Sequence, residues 1–298
     1  MVKHNLGVQG TLEAWLNRSQ DWAQNTTNGN LFFEGPTLYS YGKHFPLATH
    51  LEGDDAYLLN ADRYSVTTAK HQTWVQSLVR HKYHALVPFT ALAVAGIPAE
   101  RPTWDSPGLT IQDIEEDRTI PVERKSYHFD EVLRKYIPYT IPMRDMHLMG
   151  RSVISWDHNY YLSGLDETAT DIWRSFFLSQ LPEPCNTVND AIESLKPREI
   201  TDDNFIRQGE WFCVPCPELN TRNLINEEKH AFLVSSNPSR RKSHIATNLR
   251  YDKEGNRYIR GTLRHTVGEH RMLKLGNIWH RVYENRAVNS WSALGRID

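Results

Sequence analysis

Apolar and polar positions alternate with two different periods along the chain, and the change between them is clearest from residue 30 to residue 82. Leu31, Phe32 and Phe33 end at Glu34-Gly35-Pro36, Leu38 to Tyr41 end at Gly42, and Ala56 to Asn60 follow Gly53-Asp54-Asp55. Short, aromatic-rich runs closed by turn formers predict an antiparallel meander. From Thr67 the period lengthens. Trp74, Val75, Leu78 and Val79 make the i, i+1, i+4, i+5 stripe of a helix lying on a sheet, with Thr67 or Thr68 as its N-cap.

Upstream, Leu12, Trp15, Leu16 and Trp22 predict a short amphipathic helix followed by a polar loop. Downstream, His84 to Ile97 is an apolar run long enough for a buried helix, interrupted by Pro88 and too short to span a membrane. Pro98, Pro102, Pro107 and Pro121, with acids at Asp113, Glu115, Glu116 and Asp117, mark a connection. A second helix is predicted from Phe129 to Ile137, stopped by Pro138, then a strand from Val153 to Leu162, and a helix through Val188 and Leu195 capped by Asn186 or Thr187. Gln208-Gly209 predicts a tight hairpin within Phe205 to Val214, and the pattern from Ser243 onward is mostly strand-like. These elements predict an α+β fold, antiparallel sheets with packed helices in two modules. Residues 1–100 form the first, 101–150 a Pro-rich acidic connection with a helix, and 151–298 a second α+β module with a strand-rich basic end.

Charge adds an asymmetry to this pattern. The chain has a formal net charge of −2, yet residues 240–286 carry twelve Lys and Arg against Asp252, Glu254, Glu269 and Glu284, so that segment is +8 and the remainder −10. A basic stretch of this size attracts phosphates. With no run of about 18 apolar residues and no apolar signal core at the N-terminus, the expected setting is cytoplasmic, away from membranes. Three cysteines leave an odd thiol, which suits a reducing compartment.

The segments YSYGKHFPLA, YSVTTAKHQ, RQGEWF, YIRGTLRH and LKLGNIWHRVYENR resemble a family of uncharacterised proteins borne by phages, plasmids and some bacterial chromosomes. The resemblance implies a mobile-element setting and carries over no catalytic residue. The chain departs from that family after RQGEWF, where Cys213 and Cys216 flank Val214-Pro215.

Four histidines near the C-terminus, His244, His265, His270 and His280, fall on predicted strands and turns, where neutral imidazoles can converge on zinc or another divalent metal. His265 and His270 are the best pair, because the turn Thr266 to Glu269 contains Gly268, and Glu269 is placed to carry a proton for a bound water. Cys213 and Cys216 have zinc-knuckle spacing, with Cys185 and His230 as further ligands, but a second close pair is missing. His50-Leu-Glu52 with the same cysteines is a poor match to a zinc deaminase. Glu123-Arg-Lys125 with Asp113 or Asp117 imitates a nuclease grouping. Phosphate-loop, dinucleotide-binding, nucleophile-elbow and His-Glu-x-x-His motifs are absent.

The leading expectation is a non-enzymatic nucleic-acid-associated accessory protein of a phage or plasmid, binding DNA or RNA phosphates through Arg240, Arg241, Lys242, Arg250, Arg257, Arg260, Arg264 and Arg271. Trp279, Tyr258 and Tyr251 are its stacking candidates. The alternatives are a metal-dependent hydrolase or nuclease using the C-terminal histidines, and a scaffold or host-protein-binding role.

Overall fold

Along strand Ala56–Asn60 every side chain is buried, and alternate ones belong to different cores. Tyr57 and Leu59 face one apolar cluster, Ala56 and Leu58 another, as the two-residue period of a strand demands when both faces are covered. This strand sits inside a seven-stranded sheet whose strands follow chain order from Asn5–Leu6 to Tyr83–Val87. The computed structural model describes the chain except residues 1–3, 26–28, 52–54, 99–107, 121–122, 143–145, 149, 167–175, 237–241, 293–294 and 297–298.

The two outermost strand pairs of the first sheet are parallel and the rest antiparallel. Each parallel pair is joined through a helix, Val8–Leu16 or Val66–Val79, because parallel neighbours require a crossover. Both helices cover the same face: Leu12, Trp15, Val75 and Val79 pack with Leu31, Phe33, Leu38 and Tyr57. The cap of the second helix is Ser65 rather than Thr67 or Thr68, its Oγ accepting the Thr68 amide at 3.1 Å. Trp74 is only half-buried.

The opposite face of the first sheet meets a second, six-stranded sheet, where Leu58 and Val87 pack with Ile154, Tyr161, Leu178 and Trp291. Helix Val188–Leu195, capped by Thr187, covers the far side of that second sheet through Val188, Ala191 and Leu195 against Val153 and Leu162. The third sheet, six antiparallel strands drawn from residues 206–284, carries its own core of Trp211, Ala246, Leu249, Ile259, Leu263 and Val282. Strand Ser290–Ser292 then returns to the second sheet beside Phe176–Gln180.

The expected α+β balance is overturned. Among the described residues there are 23 strands and four α-helices, so the fold is predominantly β. Two apolar runs read as helices account for much of the difference. Pro88 divides His84 to Ile97 into strand Tyr83–Val87 and a six-residue helix, Phe89–Val94. Residues 129–137 lie in a hairpin of strands Glu123–Asp130 and Lys135–Pro142. There the Asp130 carboxylate accepts the amides of Val132 and Leu133 at 3.0 and 2.9 Å, and Arg134 adopts φ 47°. A local turn of this kind competes directly with a helical hydrogen-bond ladder. Pro138 is tolerated because a two-stranded ribbon is all edge. No helix among the described residues is long and apolar enough to cross a membrane.

Candidate metal centre

His244 opens strand His244–Tyr251 and His265 closes strand Arg257–His265, and the antiparallel register sets them directly opposite one another. Directly opposed side chains in such a pair start about 4.5–5.5 Å apart, and the two ring centroids lie 4.8 Å apart. The chain then turns through residues 266–269, with Gly268 at φ 75°, and brings back His270, whose ring centroid is 5.0 Å from that of His265 and 5.5 Å from that of His244. All three are buried, and one nitrogen from each lies within 4.8 Å of the others.

Carboxylates stand behind two of the rings. His270 Nδ1 is 2.9 Å from Asp166 Oδ2, and His244 Nδ1 is 3.3 Å from Glu210 Oε1 and 3.0 Å from Ser243 Oγ. A carboxylate at Nδ1 fixes the proton there and leaves Nε2 with its lone pair. His244 Nε2 is buried and makes no hydrogen bond. Such an orphaned acceptor costs free energy unless something occupies it. On the third ring, His265 Nδ1 accepts the Glu269 amide at a long 3.3 Å, while Nε2 lies 3.7 Å from Glu269 Oε2.

Burial, then the neighbouring His244 and His270, lower the His265 pKa to about 4, so this imidazole is neutral near pH 7 as a ligand must be. Burial also pulls His270 down, but its hydrogen bond to Asp166 and the negative charges of Asp166, Glu210 and Glu269 outweigh it and the net shift is upward. A proton and a cation therefore compete for His270.

The hairpin of strands Ile206–Gln208 and Trp211–Pro215 closes the centre. Its two-residue loop is Gly209-Glu210, one residue later than the sequence suggests. Gly209 has φ 55°, and a Cβ there would stand 2.8 Å from His270 Nε2, so both the turn and the close approach require glycine. Gln208, fully buried, holds the segment just after His270 by donating to the Arg271 carbonyl at 2.5 Å. Trp211 meets the His244 ring edge-on at 6.4 Å.

Of the four expected histidine ligands, His280 is the one placed elsewhere. It pairs with Ile259, six residues along the strand from His265, and its Nδ1 bonds the Ile278 carbonyl at 3.0 Å. Burial lowers its pKa. The sequence pattern does not single out Asp166 or Glu210 as part of the site. Glu210 has a visible signal, a carboxylate beside the turn glycine, whereas Asp166 belongs to a distant strand end and has none.

The other expected ligands do not gather. Cys213 and Cys216, three residues apart on an extended segment, project to opposite faces of the third sheet, Cys213 among Trp211, Leu249 and Ile259 and Cys216 against Trp279. Burial pushes the Cys213 thiol to about 12. Cys185 packs under helix Val188–Leu195. His50 is a core histidine between Trp15 and Tyr57, and Glu52 lies outside the described residues. Asp113 accepts the Val188 amide at 2.7 Å and Asp117 the Gly150 amide at 3.0 Å.

The basic residues are also divided. Arg240 and Arg241 lie outside the described residues. Lys242, Arg264 and Arg271 are exposed. Arg250 pairs with Glu227, and both Arg250 and Arg260 lie over the Trp279 ring, at 5.7 and 4.8 Å, so the buried Trp279 has no face for a base. Arg257 is on the opposite face of the sheet, over Trp211. Tyr258 is buried beside Trp279, and Tyr251 is half-buried at the edge of the other core. Comparison with family models, curated proteins and solved structures finds no match to this chain. The chemistry of the centre therefore rests on its own geometry.

Proposed function

We propose that this chain is a metalloprotein in which His244, His265 and His270 hold a divalent first-row ion, zinc being the best fit, and that the centre serves a metal-dependent hydrolysis. The observation that carries the reading is the convergence of three buried imidazole nitrogens within 4.8 Å. Tetrahedral nitrogens at a zinc distance of about 2.0–2.1 Å are about 3.3 Å apart, so the rings need to close by roughly 1.5 Å at most, within reach of side-chain torsions. Three histidine nitrogens, with a fourth position left to water, would be the donor set of a catalytic rather than a structural site.

Such an ion supplies a water of lowered pKa and polarises an acyl or phosphoryl oxygen. The chain's own residues do the rest. Asp166 and Glu210 orient His270 and His244 and raise their basicity. Glu269, 42% exposed and 3.7 Å from His265, sits where the buried cluster meets solvent and can accept and return a proton. A nucleic-acid role has less to rest on, because Arg257 is set apart from Arg250 and Arg260 and Trp279 is covered.

The test is hydrolysis of bis(p-nitrophenyl) phosphate and p-nitrophenyl acetate by metal-stripped protein with and without added zinc, manganese or cobalt(II). Metal-restored turnover that falls about 10²–10⁴-fold in Glu269→Gln, with the metal still bound, is expected. Turnover indifferent to metal and to Glu269 would exclude the hydrolase reading.

A further inference from the structure

One face of the third sheet is apolar and the other carries charge. Strands Ile225–Phe232, His244–Tyr251, Arg257–His265 and Leu273–Glu284 lie side by side in it. Their residues Leu249, Ile259, Leu263, Leu275 and Val282 share one core, and alternation sends the next residue along each strand to the other face. Those neighbours include Arg250, Arg260, Arg264, Lys274 and Arg281. Lys229 joins them, because it is paired with Asn248 and Asn248 with Arg260. The histidine centre is on the core side, since His244 and His265 stand two residues from Ala246 and Leu263.

Few carboxylates oppose these six cations. Glu228 and Glu284 are register partners of the core residues Leu249 and Trp211 and so lie on the core side. Glu227 is on the charged face, where it pairs with Arg250 and feels the charge of Lys229 and Arg260. At the margin, Asp252 accepts the Tyr258 hydroxyl at 3.2 Å and Glu199 acts on Tyr283. The loop 216–224, which packs on Trp279, brings Glu218 and Arg222, and these cancel. Six cations against three carboxylates leave a positive field over this face.

Lys229, Arg264 and Lys274 are exposed. Arg250 and Arg260 lie over the Trp279 ring, and Arg281 lies 4.9 Å over the Tyr283 ring. Stacking holds these three guanidinium groups in place, so less freedom is lost when an anion meets them. From the rise and spacing of strands, the six cations spread over about 20 Å along the strands and about 15 Å across them.

We infer that this face docks double-stranded DNA through its phosphates, without regard to base sequence. A patch wider than the major groove of about 12 Å reaches the phosphates of both strands. Single strands are gripped largely by stacking on open aromatic rings, and here Arg250 and Arg260 already cover Trp279. Duplex RNA is recognised through its 2′-hydroxyls, whereas Thr247 and Thr262 bond each other at 2.6 Å and Asn248 bonds the Arg260 carbonyl. The inference is independent of the metal centre on the opposite face.

The experiment is fluorescence anisotropy of the full chain with a short labelled DNA duplex, across about 50–200 mM salt. The log–log slope of affinity against salt should be about −3 to −5, as up to six contacts at about 0.9 each require. The double variant Arg264→Ala/Lys274→Ala, at two exposed positions, should flatten the slope by about 1–2 and weaken binding about tenfold or more at low salt, with an unchanged melting temperature. Lys229→Ala should flatten it by about 1. His244→Ala should leave binding intact. The corresponding single strand and RNA duplex should each bind at least about tenfold more weakly. No duplex binding at low salt, a slope unchanged in all the charge variants, or a single strand or RNA duplex bound as tightly would overturn the inference. Binding to vesicles of phosphatidylserine and phosphatidylcholine, with none to the duplex, would overturn it in favour of a membrane surface.

Discussion

At the scale of single residues, the proposed centre depends on groups that would not touch an ion held by the three histidines. Glu210 and Asp166 each face the Nδ1 of a histidine, so their task is to keep Nε2 unprotonated and aimed. Removing such a partner costs about 10–100-fold in metal affinity. Glu210→Gln and Asp166→Asn are accordingly expected to weaken zinc by that factor while leaving the fold intact, as read by competition with a chromophoric chelator. Equal affinity in wild type and both variants would mean the carboxylates play no part. The three histidines were legible in the sequence because they are close in number, and one glycine-containing turn suggested how two could meet. His280 was legible only as a histidine on a strand: nothing in spacing alone distinguishes His265, at the end of its strand, from His280, whose register partner is Ile259.

At the scale of elements, the strand-to-helix change before Val66 was readable because the period itself changes there, and Ser65 supplies the cap. The runs at 84–97 and 129–137 were not, since a short apolar run has no period long enough to separate strand from helix. What settled them is tertiary: a parallel partner for Tyr83–Val87 and an Asp130-closed turn for the hairpin. Burial separates two tryptophans that sequence treats alike. Trp15 is 1% exposed and donates from Nε1 to the Pro36 carbonyl at 2.8 Å, whereas Trp74 is half-buried at the margin of the same core. Trp15→Ala is expected to cost about 3–5 kcal/mol and Trp74→Ala distinctly less, in denaturant unfolding. The reverse order would show the helix Val66–Val79 seated on the sheet by a different face.

At the scale of the whole molecule, the first and second sheets share one apolar layer and the third carries the candidate centre, so folding and metal binding can be followed separately. His50 reports on the first. Its Nδ1 accepts from Arg18 at 3.1 Å and its Nε2 meets the Trp15 carbonyl at 3.0 Å, a pairing that suits the neutral ring. Burial, then Arg18, lowers its pKa from 6.5 to about 4. Because the unfolded chain takes up this proton first, stability should be level above about pH 6.5 and fall as the pH drops towards 4. The loss is about 1–2 kcal/mol once solvent screening is allowed for. Urea unfolding of metal-free protein across that range, compared with His50→Gln, checks it: the variant should lose part of the pH dependence, and an identical profile would contradict the assignment.

The most direct measurement of the central claim is the metal content of untagged protein purified without chelator, by elemental analysis, alongside His244→Ala, His265→Ala and His270→Ala. The account predicts close to one equivalent of zinc or another first-row divalent ion in the wild type and in His280→Ala, falling sharply in each of the three cluster variants. It also predicts a melting temperature that drops on chelation in the wild type and in His280→Ala, and does not in the three cluster variants. Wild-type protein that is metal-free, fails to take up zinc on dialysis, and melts identically with and without the ion would contradict it.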